Sequence, residues 1–464
     1  MSFILLFVLL TGLCPGGRAE HILMPDSLAS ETAILIDAAT GAPLFEKNAD
    51  RAMYPASTTK IMTCLLALEY GDLDAQVVIP EEAGSVPKDS SLMPVAVGEV
   101  MSLRDLLYGL MLHSGNDSAN AVAALVGGSV ENFVAMMNAR AAQIGMTGTH
   151  FSNAHGYHAD DHYSTARDLA LLAQEAMRNE EFRKIVGTPA YIIEPTNKRA
   201  ERLKMVNSNL MLISETDYYY DGMSGIKTGY TGAAGQTFVF AAERNGACVI
   251  GVSMKAGDNK DSPLRWNDAK TMLDYGFTRY RNYSFAELYA MSPATVQVAN
   301  AIETDPQAGD LSLSMVNVAG EYSVACLDGD ASAALADFQA KRQYTITADL
   351  TAPIAAGAII GSVSYTTEDG QSVTGTLIAS RSVDEQPQTI TAADIFPFLE
   401  GVDLAMAGQI LKIGGIALAV LLIVRAVLRA RRRALRRKQR RAARRRTSYG
   451  QPGTYRGGRD RYYN

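Results

Sequence analysis

The chain has 464 residues, 47% of them hydrophobic, and a formal net charge of −6. That length is too great for one ordinary domain, and that apolar share excludes a disordered chain in favour of packed cores. The charge is uneven: residues 425–464 hold 16 Lys and Arg against one acid, Asp460, so a cationic tail follows an acidic body. Such a tail fits an anionic membrane surface, and no nucleic-acid partner is expected.

Taken in chain order, the N-terminus opens with the apolar run Phe3–Leu10 and reaches Gly17-Arg-Ala19, a small-x-small pattern. This reads as a signal peptide over residues 1–19, although no basic residue precedes the apolar run. Cysteines at 14, 64, 248 and 326 show neither a disulfide framework nor zinc spacing. Ala33–Asp37 and Leu44–Glu46 flank a Gly/Pro turn and predict a hairpin. Pro55 precedes an apolar helix running toward Leu68. Leu103–Leu112 and Asp117–Val126 predict two helices broken at His113–Asn116, and Thr165–Met177 a third. Gln236–Ala242 and Ala247–Met254 read as strands joined at Asn245-Gly246, with a helix over Asp268–Tyr280 behind them. The first 283 residues therefore predict an α+β fold with strands at both ends.

From residue 284 the texture changes to short alternating segments, Thr295–Val298, Leu311–Val316, Gln343–Ala348, Ala358–Tyr365 and Ser372–Ala379, which predict a small all-β domain over 284–384. A linker over 385–403 leads to the apolar segment Leu404–Val424, long enough to cross a bilayer. Gln409 and Lys412 interrupt it, so a helix lying in the membrane interface is the competing reading. The Arg-rich run within 425–464 reads as a disordered tail and would lie on the cytoplasmic side of a span. The body would then lie outside the cytoplasmic membrane.

The chemistry begins at Ser57 and Lys60. At helical spacing i, i+3 their side chains share a face. A hydroxyl becomes a nucleophile when a base takes its proton, and a lysine serves as base only if burial or a nearby cation lowers its pKa. The pattern alone is weak: it recurs at Ser85-Val-Pro-Lys88, where Pro87 argues against a helix, and Ser57 could simply cap its helix with Lys60 a solvated helix lysine. Its company is more specific. Ser114-Gly-Asn116 falls at a break between helices, and Lys227-Thr-Gly229 falls at the start of a strand pair. Ser-x-x-Lys, Ser-x-Asn and Lys-Thr-Gly in this order form the series of penicillin-recognising serine acyltransferases.

On these residues the chain resembles the low-molecular-mass penicillin-binding proteins, the serine D-alanyl-D-alanine carboxypeptidases of peptidase family S11. Tyr163-Ser-Thr-Ala-Arg-Asp168, Asn207-Ser-Asn-Leu210, Gly225–Thr231 and Tyr275-Gly-Phe277 extend the resemblance. It implies a penicillin-binding transpeptidase-like, β-lactamase-like catalytic domain over 22–283, an antiparallel sheet with a helical subdomain. It also implies the roles. Ser57 would be acylated, Lys60 would take its proton, and Ser114 would relay a proton to the leaving amine. Asn116 would hold the substrate amide, Thr228 would hydrogen-bond the terminal carboxylate, and Lys227 on the opposite wall would help keep Lys60 neutral and attract an anionic substrate. Gly229 would leave room along the strand, and the Tyr230 backbone would complete an oxyanion hole. Arg265, ten residues before Tyr275, would grip the free carboxylate. Stem peptides ending in D-Ala-D-Ala would be the substrates and β-lactams the covalent inhibitors, with no cofactor.

Three other readings compete. His155, His158, Asp160, Asp161 and His162 are potential zinc ligands within eight residues, though the run looks like a solvated loop. A serine β-lactamase shares the three triplets but needs a carboxylate to activate the deacylating water. A non-catalytic wall-binding scaffold could keep the fold, but it has no need of all six of Ser57, Lys60, Ser114, Asn116, Lys227 and Thr228.

Overall fold

The computed structural model describes residues 23–367, 370–387 and 404–444. The expected signal peptide with Cys14, most of the linker, and the tail beyond Arg444 lie outside the described residues. The chain up to Glu385 forms one compact unit and the chain from Gln386 another.

The first unit is built on a five-stranded antiparallel sheet. Strands β1 (Thr32–Asp37) and β2 (Pro43–Lys47) form the expected hairpin at one edge. Strands β3 (Gln76–Val78), β4 (Val100–Ser102), β5 (Ala190–Ile193) and β6 (Leu203–Val206) form two small ribbons outside it. Strands β7 (Met223–Thr231), β8 (Gly235–Arg244) and β9 (Ala247–Met254) complete the main sheet in the order β2-β1-β9-β8-β7. The β8–β9 turn is the expected Asn245-Gly246, both at positive φ.

Both faces of the central strands are buried, and alternation divides their side chains between two cores. Ile34, Ile36, Val239 and Ala241 face a helical layer. That layer comprises α1 (Lys60–Tyr70), α2 (Leu103–Leu112), α3 (Asn116–Gly127), α4 (Val130–Ile144), α5 (Ala166–Met177) and α6 (Glu180–Val186). Ala33, Leu35, Phe238 and Phe240 pack on the other face with Trp266 and Leu273 of α7 (Leu264–Thr278). This leaves β7 as the outer strand of the sheet beside the start of α1, and that strand carries Lys-Thr-Gly.

The region past 284 is not all-β. Strand β10 (Tyr280–Ser284) pairs with β13 (Ser323–Leu327). Strands β11 (Thr295–Gln297), β12 (Asp310–Ala319), β14 (Gln343–Ile346), β15 (Ile359–Thr366) and β16 (Ser372–Ala379) form a sheet in the order β11-β12-β16-β15-β14. Two helices the alternation did not reveal, α8 (Phe285–Met291) and α9 (Ser332–Lys341), pack on it. Phe285 and Phe338 meet edge to face there, in a core separate from the two above.

In the second unit a single helix, α10 (Leu404–Arg444), runs through the apolar segment and on into the arginine-rich run. The basic residues to Arg444 therefore continue the helix rather than follow it as coil. Gly408–Arg437 is long and apolar enough to cross a membrane.

Candidate active site

Ser57 sits in a 3₁₀ turn, Ala56–Thr59, directly ahead of α1, which begins at Lys60. Its hydroxyl makes no capping bond, so the helix-cap alternative does not describe it. Ala56 before it is held at φ 49°, a backbone region unfavourable to a residue with a Cβ. Such strain persists only where surroundings fix it and collects at functional positions. Here Gly156 fixes it: at φ 83° it presses so close that a Cβ would lie 1.8 Å from the Ala56 carbonyl oxygen.

Lys60 is fully buried. Its Nζ donates to Asn116 Oδ1 at 2.7 Å and to the His155 carbonyl at 2.6 Å, and lies 3.1 Å from Ser57 Oγ. Burial drives its pKa well below the usual lysine value, and the nearby Lys227 pushes it the same way, while Asp117 opposes. A neutral amine has two hydrogens, and the two close acceptors occupy them. Its lone pair then faces Ser57 Oγ, poised to accept the serine proton.

Asn116 opens α3 and is clamped by the loop before it. Its Nδ2 donates to Ser90 Oγ at 3.0 Å, and its backbone N–H donates to the Ser91 carbonyl at 2.8 Å. Asp117 secures the same loop by accepting from Met93 N–H at 2.8 Å and Val95 N–H at 3.3 Å. Ser114 lines the cleft at φ 65°, a second strained non-glycine beside the site.

The opposite wall is β7. Lys227 is buried, its pKa lowered to about 7 by burial and then by the Arg265 charge. Thr228 Oγ1 shares a hydrogen bond with Ser208 Oγ at 2.8 Å. A Cβ on Gly229 would stand 3.1 Å from the Ser57 amide nitrogen, which measures how closely strand and turn approach. The Tyr230 hydroxyl donates to the Asp258 carbonyl at 2.7 Å. Arg265, in the first turn of α7, donates to the carbonyls of Gly229 and Lys260, both at 3.3 Å. Burial lowers its pKa to about 10, with Asp261 opposing, so it remains a cation at neutral pH.

The cleft between these walls holds about 990 Å³. Ser57, Ser114, Asn116, Thr228, Gly229, Tyr230 and Arg265 line it, with Lys60 and Lys227 buried behind. A carbonyl bound here would meet a hydroxyl with an adjacent base, amide N–H groups at a turn and a strand edge, and two cations, which is the equipment for acyl transfer. Ser85 and Lys88 of the second Ser-x-x-Lys stand outside this lining.

The histidine run is a solvated loop only in part: His158, Asp160 and Asp161 are exposed, whereas two histidines are not. His155 and His162 are buried, with pKa values lowered by burial to about 3 and about 4. Both rings are committed. His155 Nδ1 accepts from Tyr157 N–H at 3.0 Å. His162 Nδ1 accepts from Ser152 N–H at 3.0 Å, which leaves Nε2–H to donate to Thr59 Oγ1 at 2.8 Å. Among the described residues no three potential ligands converge as a metal site. Asp160 and Asp161 are not among the residues lining the cleft, so neither stands where a deacylating carboxylate would be needed.

Sequence reasoning missed the His155 carbonyl and Ser90, and it named Ser208 within Asn207–Leu210 without giving it a role. A backbone carbonyl carries no residue-specific signal, and the serines become partners only through folding.

The profile of the D-alanyl-D-alanine carboxypeptidase family, peptidase S11, matches residues 19–258. The chain is 34% identical over 292 residues to D-alanyl-D-alanine carboxypeptidase DacF of Bacillus subtilis, covering 61% of this chain and 72% of that protein. It is 30% identical over 398 residues to D-alanyl-D-alanine carboxypeptidase DacC of Escherichia coli, covering 81% of this chain and 92% of that one. Among solved structures it is similar to the Streptomyces K15 DD-transpeptidase, with a TM-score of 0.50 and 35% identity over 54% of this chain and 98% of that chain.

Proposed function

The chain belongs to the D-alanyl-D-alanine carboxypeptidase family of serine peptidases, and from that premise we propose that it removes the terminal D-alanine from peptidoglycan stem pentapeptides through an ester on Ser57. It is a serine-type carboxypeptidase and a penicillin-binding protein. The observation that carries the assignment of roles is the buried Lys60 amine, whose Nζ lies 2.7 Å from Asn116 Oδ1, 2.6 Å from the His155 carbonyl and 3.1 Å from Ser57 Oγ.

In this reading the C-terminal carboxylate of the stem lies against Arg265, Thr228 and Lys227. The scissile carbonyl then falls between the Ser57 and Tyr230 amides. Ser57 Oγ attacks the carbonyl carbon as its proton passes to Lys60 Nζ, and the developing oxyanion takes hydrogen bonds from the two N–H groups. The Lys60 ammonium returns that proton through Ser114, which hands its own to the departing amine and is reprotonated from Lys60; the C–N bond breaks, D-alanine leaves, and Lys60 is neutral again. Water then attacks the ester with Lys60 again as base, and Ser57 recovers its proton. Gly229 keeps the strand edge bare for this alignment, and Asn116 orients the substrate amide. An internal peptide bond offers no carboxylate to Arg265, so the enzyme acts at chain ends. A β-lactam presents a strained amide and a carboxylate at similar spacing and acylates the same serine.

We further propose that residues 22–283 are the catalytic domain, that 284–384 space it from the membrane, and that α10 anchors it. The body would lie outside the cytoplasmic membrane, with the basic residues drawn to anionic lipid on the other side. The test is Ser57→Ala. The wild-type enzyme should release D-alanine from a D-Ala-D-Ala peptide and carry a covalent penicillin adduct, and the variant should do neither. Undiminished labelling of the variant would refute the assignment.

A further inference from the structure

Gln236 of β8 pairs with Tyr230 of β7 and is fully buried, yet it takes no part in the chemistry above. Its side-chain Nε2 faces three carbonyl oxygens of the segment between β9 and α7: Asn259 at 2.8 Å, Lys260 at 3.0 Å and Ser262 at 2.7 Å. Its Oε1 accepts the Arg265 backbone N–H at 3.1 Å. Its main chain grips the same segment, donating to the Gly257 carbonyl at 2.8 Å and accepting from Ala256 N–H at 2.9 Å. One residue of the sheet thus holds the rim of the cleft from Ala256 to Arg265.

These partners fix which way the amide points. Turned over, its oxygen would oppose three carbonyl oxygens and its nitrogen an N–H. Two hydrogens already serve three acceptors, so the nitrogen is committed to the rim. The rim has no helix or strand of its own, and Asp258, Asn259, Lys260, Asp261 and Pro263 are exposed. A further tie is the Tyr230 hydroxyl on the Asp258 carbonyl.

The rim matters because Arg265 hangs from it. The guanidinium donates to the Gly229 carbonyl on β7 and the Lys260 carbonyl on the rim, both at 3.3 Å. Both bonds are long, so the aim of the remaining N–H groups follows wherever those two oxygens stand. The Lys260 oxygen serves Gln236 and Arg265 together, as two lone pairs allow. Gln236 therefore fixes Arg265 twice: at its backbone N–H, and at a carbonyl that its side chain holds. A guanidinium fork meets a carboxylate well only when its plane is set.

We infer that Gln236 is a positioning residue for the carboxylate clamp. It aims the Arg265 guanidinium into the cleft and so sets how strongly the enzyme prefers a free C-terminal carboxylate to a capped chain end. The inference rests on the carboxypeptidase reading and deepens it.

The test compares Nα,Nε-diacetyl-L-Lys-D-Ala-D-Ala with its C-terminal amide, following release of D-alanine or D-alaninamide by the full chain in detergent. The charge-assisted bond from Arg265 should make kcat/KM about 10–100-fold higher for the acid. Gln236→Met keeps the volume and removes every polar partner, and it should lower that ratio about tenfold, toward the ratio of Arg265→Leu. Combining the two substitutions should give the ratio of Arg265→Leu alone, because the residues act as a unit. Gln236→Asn, one methylene short of the rim, should show the same fall and serves if the first variant does not fold. Stoichiometric penicillin labelling of Ser57 certifies the fold of each. A wild-type ratio near one, equal losses on both peptides, an unchanged ratio in a labelled variant or a further fall in the double variant overturns the positioning role. So does loss of labelling in both variants, which would make Gln236 a folding residue. The carboxypeptidase reading survives each of these outcomes; failure of the wild type to release D-alanine from the acid overturns both.

Discussion

Replacing Gly229 with alanine tests the closeness of strand and turn on which the proposed oxyanion hole depends. The new Cβ would lie 2.1 Å from Thr237 Oγ1, 3.1 Å from the Ser57 nitrogen and 3.2 Å from Ala56 Cβ. Non-bonded carbons and oxygens settle near 3.5 Å, so the contacts with the turn ask for about 0.4 Å and the contact with the Thr237 side chain of β8 for about 1.4 Å, and β7 must shift on the order of 1 Å to relieve both. A displacement of that size from reacting geometry costs on the order of 10²-fold, and full loss of one oxyanion donor about 10²–10³-fold. Gly229→Ala should therefore acylate with a fluorescent penicillin about 10²–10³ times more slowly, with its melting temperature little changed. The worst contact is with a side-chain hydroxyl and can be removed. Thr237→Ala in the same chain should recover about tenfold, and no more, because the contact with the Ser57 amide remains. Stopped-flow acylation of the two variants measures both numbers. A Gly229→Ala enzyme acylated at the wild-type rate would refute the reasoning.

Lys60 must be neutral to act and Lys227 charged to hold a carboxylate, so kcat/KM should trace a bell against pH. The acid limb belongs to Lys60, and the alkaline limb begins near pH 7, where Lys227 loses its proton; acylation that stays flat down to pH 5 would exclude lysine as the base. Arg265→Leu removes a charge-assisted bond worth about 1.5–3 kcal/mol and should lower kcat/KM on D-Ala-D-Ala peptides about 10–100-fold, as D-alanine release would measure. His162 is held neutral in the fold with a pKa near 4, against 6.5 when unfolded. The unfolded chain therefore binds the proton first, and stability is intact above pH 6.5 and lost as the pH falls toward 4. The loss is on the order of 3 kcal/mol from this residue. Thermal melts at pH 7.5 and 4.5 should differ in the wild type and differ less in His162→Gln, where His155 with its pKa of about 3 still contributes; equal melting temperatures in the wild type would count against the account.

Much of this was legible in the sequence where a local rule had one dominant cause. Leu103–Leu112 forms as expected, and Thr165 caps the helix that follows it by accepting from Asp168 N–H. Asn245-Gly246 turns the hairpin because both residues accept positive φ. The helix behind the sheet begins at Leu264, not Asp268, which puts Arg265 in its first turn, above Gly229. Helix α4 gave little sign of itself because, apart from Ala141, only Phe133 and Met137 of its face are buried, among alanines and polar residues. Helix α9 buries Phe338 alone. The helical spacing assumed for Ser57 and Lys60 is in fact that of a 3₁₀ turn, which brings i and i+3 closer to eclipse. The gathering of the 259–262 carbonyls around Gln236 follows from tertiary structure, and no local pattern announces it.

One tether on Lys60 is a main-chain oxygen, that of His155. No codon change can delete it, because every amino acid brings the same carbonyl. The companion tether, Asn116 Oδ1, can be lost in a single step. Drift toward inactivity, or toward altered drug response, thus has one open route at this amine and one closed. A comparison of side chains alone would see only half of what aims the base.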